Sequence, residues 1–238
     1  MTVEPIQFEI AINENDSVTA LLYPVGKKGR LDTTLILGHG AGANQLSGFM
    51  RLFANGLAER GVDVVTFNFL YMEQGRKVPD PGPRLESCYR SVIEAVADHK
   101  KLKGNRIVIG GKSMGGRIGS QVAALESAGK STGSPPNIAG LVLLGYPLHP
   151  PGRPDKMRDA HLKDIRVPVL FVQGSRDAFG SEDELKTAIK KSKLPATLHI
   201  VEGGDHSLKV PKSAGLSQSQ VYADLMDKIS GWLAAKDR

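Results

Sequence analysis

Three residues far apart in the chain, Ser113, Asp177 and His206, are of the types that can share one proton-handling task. A serine hydroxyl is a weak nucleophile until a histidine takes its proton and a carboxylate fixes that histidine's tautomer, so the chemistry needs all three. Ser113 lies in "RIVIGGKSMGGRIG" (106–119), where Gly111, Ser113 and Gly115 spell G-x-S-x-G. An apolar run leads directly into the serine and a helical pattern follows, as in a strand-turn-helix corner that presents a nucleophile. "VPVLFVQGSRDAFG" places Asp177 a few residues past the next-but-one strand, and "ATLHIVEGGDHSL" places His206 just past the one after. The order serine, acid, histidine, each beyond a strand end, is the order such a site requires.

The same stretch contains "GKS", the tail of a phosphate-cradling loop, but that motif needs a glycine at position 106, which is Arg106. Residues 106–109, "RIVI", are needed as strand, so no loop remains to wrap a phosphate. At a sharp corner the positions two before and two after the serine are crowded, which selects glycine at 111 and 115. Gly116 and Gly119 then let the helix lie close to the sheet.

Competing residues have simpler accounts. Glu182, Asp183 and Glu184 stand in the first turn of a helix, where acids complement the dipole. Asp205 adjoins His206, and adjacent side chains oppose each other poorly. His199 falls inside a strand pattern, and His99 and His161 in helical or connecting stretches. For a developing oxyanion, Met114 N–H at the helix start is one expected donor. The glycine-rich turn in "LILGHGAGANQ" supplies the other, Ala41 first and Gly42 second. His39 is expected to brace that loop.

These side chains need a frame. Short apolar runs alternate with helical patterns from "TTLILGHG" onward, the mark of a mostly parallel sheet with helices on both faces. "QFEIAI" and "VTALLYPV" read as an antiparallel strand pair before it. Ser181 to Glu184 reads as a capping box. One α/β domain over 1–238 accounts for the chain. "SAGKSTGSPPN" (127–137) and "PKSAGLSQS" (211–219) are expected as surface loops, and "KKGR" (27–30) as a hairpin turn.

The 238 residues carry 31 Lys and Arg against 25 Asp and Glu, a net charge of +6. The basic clusters fall in a turn and at helix ends ("HKKLK", "KKSK"), so they predict solvated charge and no nucleic-acid partner. No 18-residue apolar run and no signal-like N-terminus are present, so neither membrane association nor secretion is expected. Cys88 is the single cysteine and is expected as a small buried hydrophobe, which fits a cytoplasmic protein. Neither H-E-x-x-H nor G-x-G-x-x-G occurs, so no metal and no cofactor are expected. Nothing in the sequence fixes an oligomeric state.

With these segments in order, the chain resembles the α/β-hydrolase superfamily over essentially its whole length. "GHGAGAN", "FNFLYMEQGRKVPDP", "GGKSMGGR", "GYPLHPPGRP" and "GSRDAFG" look like the small hydrolases grouped near dienelactone hydrolases. Relatives of the third subunit of the NSL histone-acetylation complex belong to that group. The resemblance implies a catalytic Ser113, Asp177 and His206. It departs from dienelactone hydrolases themselves, whose nucleophile is a cysteine, and the group includes proteins that act as scaffolds.

The expected function is ester or related acyl hydrolysis on a small soluble substrate. A catalytically silent interaction module is the alternative, although such a module needs none of the three residues. The connection from Pro147 to Arg166, 20 residues with four prolines, is too short for a large helical lid and predicts a shallow, open site. Tyr71, Met72, Tyr146 and His149 are candidates either to line it or to pack the core, and Arg76 and Lys112 either to favour an anionic substrate or to stand as solvated charge.

Overall fold

The structure, a computed structural model, describes residues 4–26, 29–129 and 137–235. Eight strands form one sheet: β1 (Ile6–Ala11), β2 (Ser17–Tyr23), β3 (Thr33–Gly38), β4 (Asp63–Phe67), β5 (Arg106–Lys112), β6 (Ile138–Leu144), β7 (Val169–Gly174) and β8 (Ala196–Val201). Six helices accompany them: α1 (Gly48–Ala58), α2 (Leu70–Glu73), α3 (Gly82–Asp98), α4 (Met114–Ser127), α5 (Glu182–Ser192) and α6 (Gln218–Ala234). The strand order is β1-β2-β4-β3-β5-β6-β7-β8. β1 and β2 pair antiparallel, β2 joins β4 antiparallel, and the pairs from β4 through β8 are parallel.

The pleat divides the apolar runs between two cores. Ile36, Ile109, Leu141, Leu143 and Phe171 face one side, with α3, α4 and α5. Leu35, Leu37, Val108, Val142 and Val172 face the other, with α1 and α6. Every central strand is therefore apolar on both faces, which is why the runs read as continuous rather than alternating.

Local signals hold where the backbone alone decides. α5 starts in a capping box: Ser181 Oγ accepts from Glu184 N–H while the Glu184 carboxylate accepts from Ser181 N–H. α6 starts the same way with Ser217 and Gln220. Lys190 and Lys191 lie in the last turn of α5. α3 instead stops at Asp98, and "HKKLK" forms the turn beyond it.

The expected hairpin turn "KKGR" falls partly outside the described residues, and β2 and β3, the strands on either side of it, do not pair with each other. The partners of β2 are β1 and β4, so the chain leaving β2 must pass β4 to reach β3; residues 27–28 themselves lie outside the described ones. The expected loop 127–137 lies mostly outside them as well. Within 211–219 the chain makes a 3-10 turn, Lys212–Ala214, and then enters α6. Between β6 and β7 the only regular element is the 3-10 turn Leu162–Asp164, so no helical lid covers the sheet there.

β3 is the switch point. The chain moves from β3 outward to β4 and then returns to place β5 on the other side of β3. In open α/β sheets, ligands bind outside the carboxyl ends of the strands at such a point.

Candidate active site

At the carboxyl end of β5 the backbone makes a strained corner. Ser113 sits at φ 51° and ψ −114°, a left-handed conformation uncommon for a residue with a side chain, and Gly111 at φ 145°. The crowding expected at 111 and 115 has a different source from the one the motif suggests. A Cβ on either residue would meet Gly38 O of β3, at 2.2 Å and 2.1 Å, so both glycines make room for the neighbouring strand rather than for each other. Ser113 stands at the N-cap of α4 yet makes no capping bond. Its hydroxyl is turned outward instead.

That hydroxyl meets a histidine. His206 Nε2 lies 2.8 Å from Ser113 Oγ, and His206 Nδ1 lies 2.8 Å and 3.0 Å from the two carboxylate oxygens of Asp177. A carboxylate accepts, so Nδ1 carries the proton and Nε2 presents its lone pair to the serine. Asp177 is 4% exposed. Phe179 N–H donates to its Oδ1 at 2.8 Å and Gln173 Nε2 to its Oδ2 at 2.9 Å. The Phe179 ring stacks on the imidazole with centroids 4.0 Å apart.

Gln173, on β7, is a residue the sequence reading passed over. It also accepts from Tyr146 N–H and donates to Gly180 O, tying together the loops after β6 and β7. Its signal was present: it is the one amide in the otherwise apolar run "VLFVQG" and is fully buried. Tyr89 of α3 was also missed. Its buried hydroxyl accepts from Gly110 N–H and contacts Gly110 O and Ile36 O, holding β5 against β3 beneath the corner.

The loop after β3 is clamped by His39. Phe69 N–H donates to Nε2 at 3.1 Å, so Nδ1 bears the proton and donates to Gly40 O at 2.8 Å. Burial holds its pKa down to about 4, against a partial rise from the Gly40 carbonyl, so the ring stays neutral and in one tautomer. Ala43 N–H also holds Gly40 O, at 3.1 Å. A trans peptide points its N–H away from its carbonyl, so Ala41 N–H is directed to the opposite side. Tyr71 O–H holds Ala41 O at 3.0 Å and directs Gly42 N–H likewise. Met114 is the first residue of α4, where helical N–H groups lack intrahelical acceptors.

Lys112 precedes the serine, and its ammonium donates to His206 O at 2.6 Å. Burial lowers its pKa to about 8, with Asp177 and Asp205 opposing the shift. Asp205 itself serves the turn, accepting from Ser207 and Lys209 N–H. The Cys88 thiol is pushed up to about 12, first by burial, and stays protonated. Among the described residues no three His, Cys, Asp or Glu side chains form a group that could hold a metal ion. No helix among them is long and apolar enough to cross a membrane.

A cavity of about 770 Å³ opens beside Ser113. Gly40, Ala41, Gly42, Met114 and His206 line it, as do Phe49 and Tyr222. None of the four candidates to line the site, Tyr71, Met72, Tyr146 and His149, is on the wall of this cavity. Tyr71 and Tyr146 are buried, with their hydroxyls spent on the Ala41 and Arg158 carbonyls. His149 is held by Pro150 O and Glu184, and Met72 is half-buried against one of the two cores. Arg76 is also outside the cavity, bound to Gln74 and Asp80.

The fold has counterparts among solved structures. A family model described as an alpha/beta hydrolase domain matches residues 31–234. The chain belongs to the alpha/beta hydrolase family. A dienelactone hydrolase from Anabaena variabilis superposes on this hydrolase-family chain with a TM-score of 0.74 at 16% identity, covering 98% of this chain and 97% of the other. Est1E from Butyrivibrio proteoclasticus with ferulic acid bound gives 0.74 at 16%, covering 96% and 100%. A Xanthomonas campestris serine hydrolase without a lid gives 0.69 at 18%, covering 97% and 94%.

Proposed function

We propose that this alpha/beta hydrolase-family protein is a serine hydrolase that cleaves a carboxylic ester, or a related acyl bond, of a small molecule through an acyl-enzyme. The observation that carries this is the unbroken chain Asp177–His206–Ser113, with both links at 2.8 Å, at the wall of the cavity.

As Ser113 Oγ attacks the carbonyl carbon, its proton passes to His206 Nε2 and the Oγ–C bond forms. Asp177 stabilises the imidazolium and keeps it oriented. The carbonyl oxygen takes the negative charge and is met by Met114 N–H and Ala41 N–H. Ala41 is favoured over Gly42 because Gly40, the other half of its peptide, lies against Ser113: a Cβ there would be 3.7 Å from Ser113 Cβ, whereas one on Gly42 meets nothing within 4 Å. The leaving oxygen collects the proton from Nε2. Water then attacks the acyl carbon, gives its proton to Nε2, and Ser113 departs as the alcohol with that proton returned.

The test is turnover of 4-nitrophenyl acetate and butanoate by the native protein and by Ser113→Ala. Saturable turnover that falls to background in the variant is expected. Equal rates in the two would remove the assignment and leave the fold to a binding role.

A further inference from the structure

The cavity beside Ser113 is bounded by both helix layers, and its two sides differ. Phe49, Met50 and Leu52 of α1 and Tyr222 of α6 make one side apolar. On the other, Arg117 of α4 and Arg158 from the β6–β7 connection face the same space.

These two guanidiniums line the cavity, and both lack the carboxylate that half of the described arginines have. Arg30, Arg60, Arg76, Arg84 and Arg90 each have a carboxylate within 4.0 Å. No described carboxylate lies that close to Arg117 or Arg158. Arg117 Nη1 donates to Gln121 Oε1 at 2.9 Å, and Arg158 Nη1 reaches only Pro147 O at 3.5 Å. Burial, and then the charge of Arg158, hold the Arg117 pKa below its ordinary value, against opposing pulls from Tyr146 and from Glu86, so the two cations feel each other in a partly desolvated place. Like charges so placed are costly unless an anion joins them.

Two other charged groups on the cavity wall, Lys112 and Asp80, are already occupied. The Lys112 ammonium is engaged by His206 O. Asp80, the one acid there, is matched by Arg76 at 2.8 Å and Arg84 at 3.7 Å. Lys209 lies by the His206 loop. The arginine pair is also pre-positioned. Arg158 is pinned by its own N–H to Leu148 O at 2.7 Å and by Tyr146 O–H to its carbonyl at 2.9 Å. Arg117 follows Ser113 by four residues, its N–H bonded to Ser113 O at 3.0 Å, so nucleophile and guanidinium share one helix face.

We propose that Arg117 and Arg158 form an anion subsite, and that the substrate is an ester with a carboxylate or phosphate about one helical turn, ~5 Å, from its scissile carbonyl and an apolar portion toward α1 and α6. This rests on the serine-hydrolase reading above for its chemistry, though not for the binding of the anion.

Two measurements separate the subsite from the triad. The first compares kcat/KM for 4-nitrophenyl hydrogen glutarate, which carries the anion, with that for its neutral methyl glutarate counterpart. The ratio of charged to neutral ester is expected to fall tenfold to a hundredfold in Arg117→Gln and in Arg158→Gln, the usual range for losing a charge-assisted contact. It should be partly restored in Arg117→Lys and unchanged in Arg153→Gln, an exposed residue outside the cavity. A ratio that stays within twofold in both glutamine variants overturns the proposal.

The second measurement is calorimetric titration of Ser113→Ala with glutarate and with inorganic phosphate. Saturable binding of either that is lost when Arg117→Gln is added supports the subsite, even if the native protein turns over neither ester. The tighter of the two then names the anion. Absence of binding by both overturns the proposal whatever the fate of the hydrolase assignment.

Discussion

Among the described residues, two serine–histidine pairs have the same separation. Ser113 Oγ lies 2.8 Å from His206 Nε2, and Ser120 Oγ lies 2.8 Å from His161 Nε2, two turns further along α4. Only the first can do nucleophilic chemistry, and the reason lies in what each group does with its other bonds. Ser120 donates its proton to Arg117 O at 2.7 Å, so it must accept from His161, and a histidine that donates is no base toward that serine. No described carboxylate orients His161 Nδ1, and Ser120 is fully buried away from the cavity. His206 has the opposite arrangement: a carboxylate on Nδ1, a lone pair at Nε2 and a serine whose strained backbone denies it a cap. A short distance therefore identifies a pair, while the partners around it decide whether the pair can transfer a proton.

The comparison can be broken at several points, and the largest effect is expected at the acid. Asp177→Asn preserves the shape but leaves His206 in the wrong tautomer; kcat should drop about 10⁴-fold while the thermal midpoint moves little. Steady-state kinetics on a 4-nitrophenyl ester, with a melting curve on the same sample, reads both. A fall smaller than tenfold would show that Asp177 does not orient His206.

Acid should next expose the buried histidines. The pKa of His161 is lowered to about 4 by burial first and then by Arg117, and that of His39 to about 4 by burial. Between about pH 6.5 and 4 the unfolded chain binds protons that the folded one does not, so stability is full above this window and is lost as pH falls through it. From pH 6.5 to 4.5 each histidine should cost about 2–3 kcal/mol of unfolding free energy. Urea unfolding at the two pH values should show the loss, and His161→Gln should shrink it. An undiminished pH dependence in that variant would contradict the account of His161.

Ser120→Ala should produce the smallest change. It leaves the His161 N–H without its acceptor, costing about 1–3 kcal/mol in urea unfolding, with kcat on a neutral ester within a few-fold of native. A loss of activity comparable to that of Asp177→Asn would place the wrong pair at the centre of the chemistry.

The frame of this protein is legible in its sequence because it follows from repeating local patterns. Apolar runs, capping residues and the G-x-S-x-G corner each act over a few residues, and they locate Ser113, Asp177 and His206 beyond β5, β7 and β8. The lining of the cavity is not legible in that way. Tyr71 and Tyr146 look like contact residues, but their hydroxyls turn to carbonyls supplied by distant loops and become supports for Ala41 and Arg158. Arg117 and Arg158 carry no signal in the sequence; the fold brings them to one cavity with no described carboxylate within 4.0 Å of either. Even the source of crowding at Gly111 and Gly115, Gly38 on β3, is set by strand order rather than by the motif.

The central claim is that Ser113, and no other hydroxyl, is the activated nucleophile. It is tested most directly by treating the native protein with a fluorophosphonate and mapping the adduct by peptide mass spectrometry. A single adduct on Ser113 is expected, strongly slowed in Asp177→Asn and unaffected by Ser120→Ala. An unmodified Ser113, or an adduct on Ser120 instead, would contradict the account.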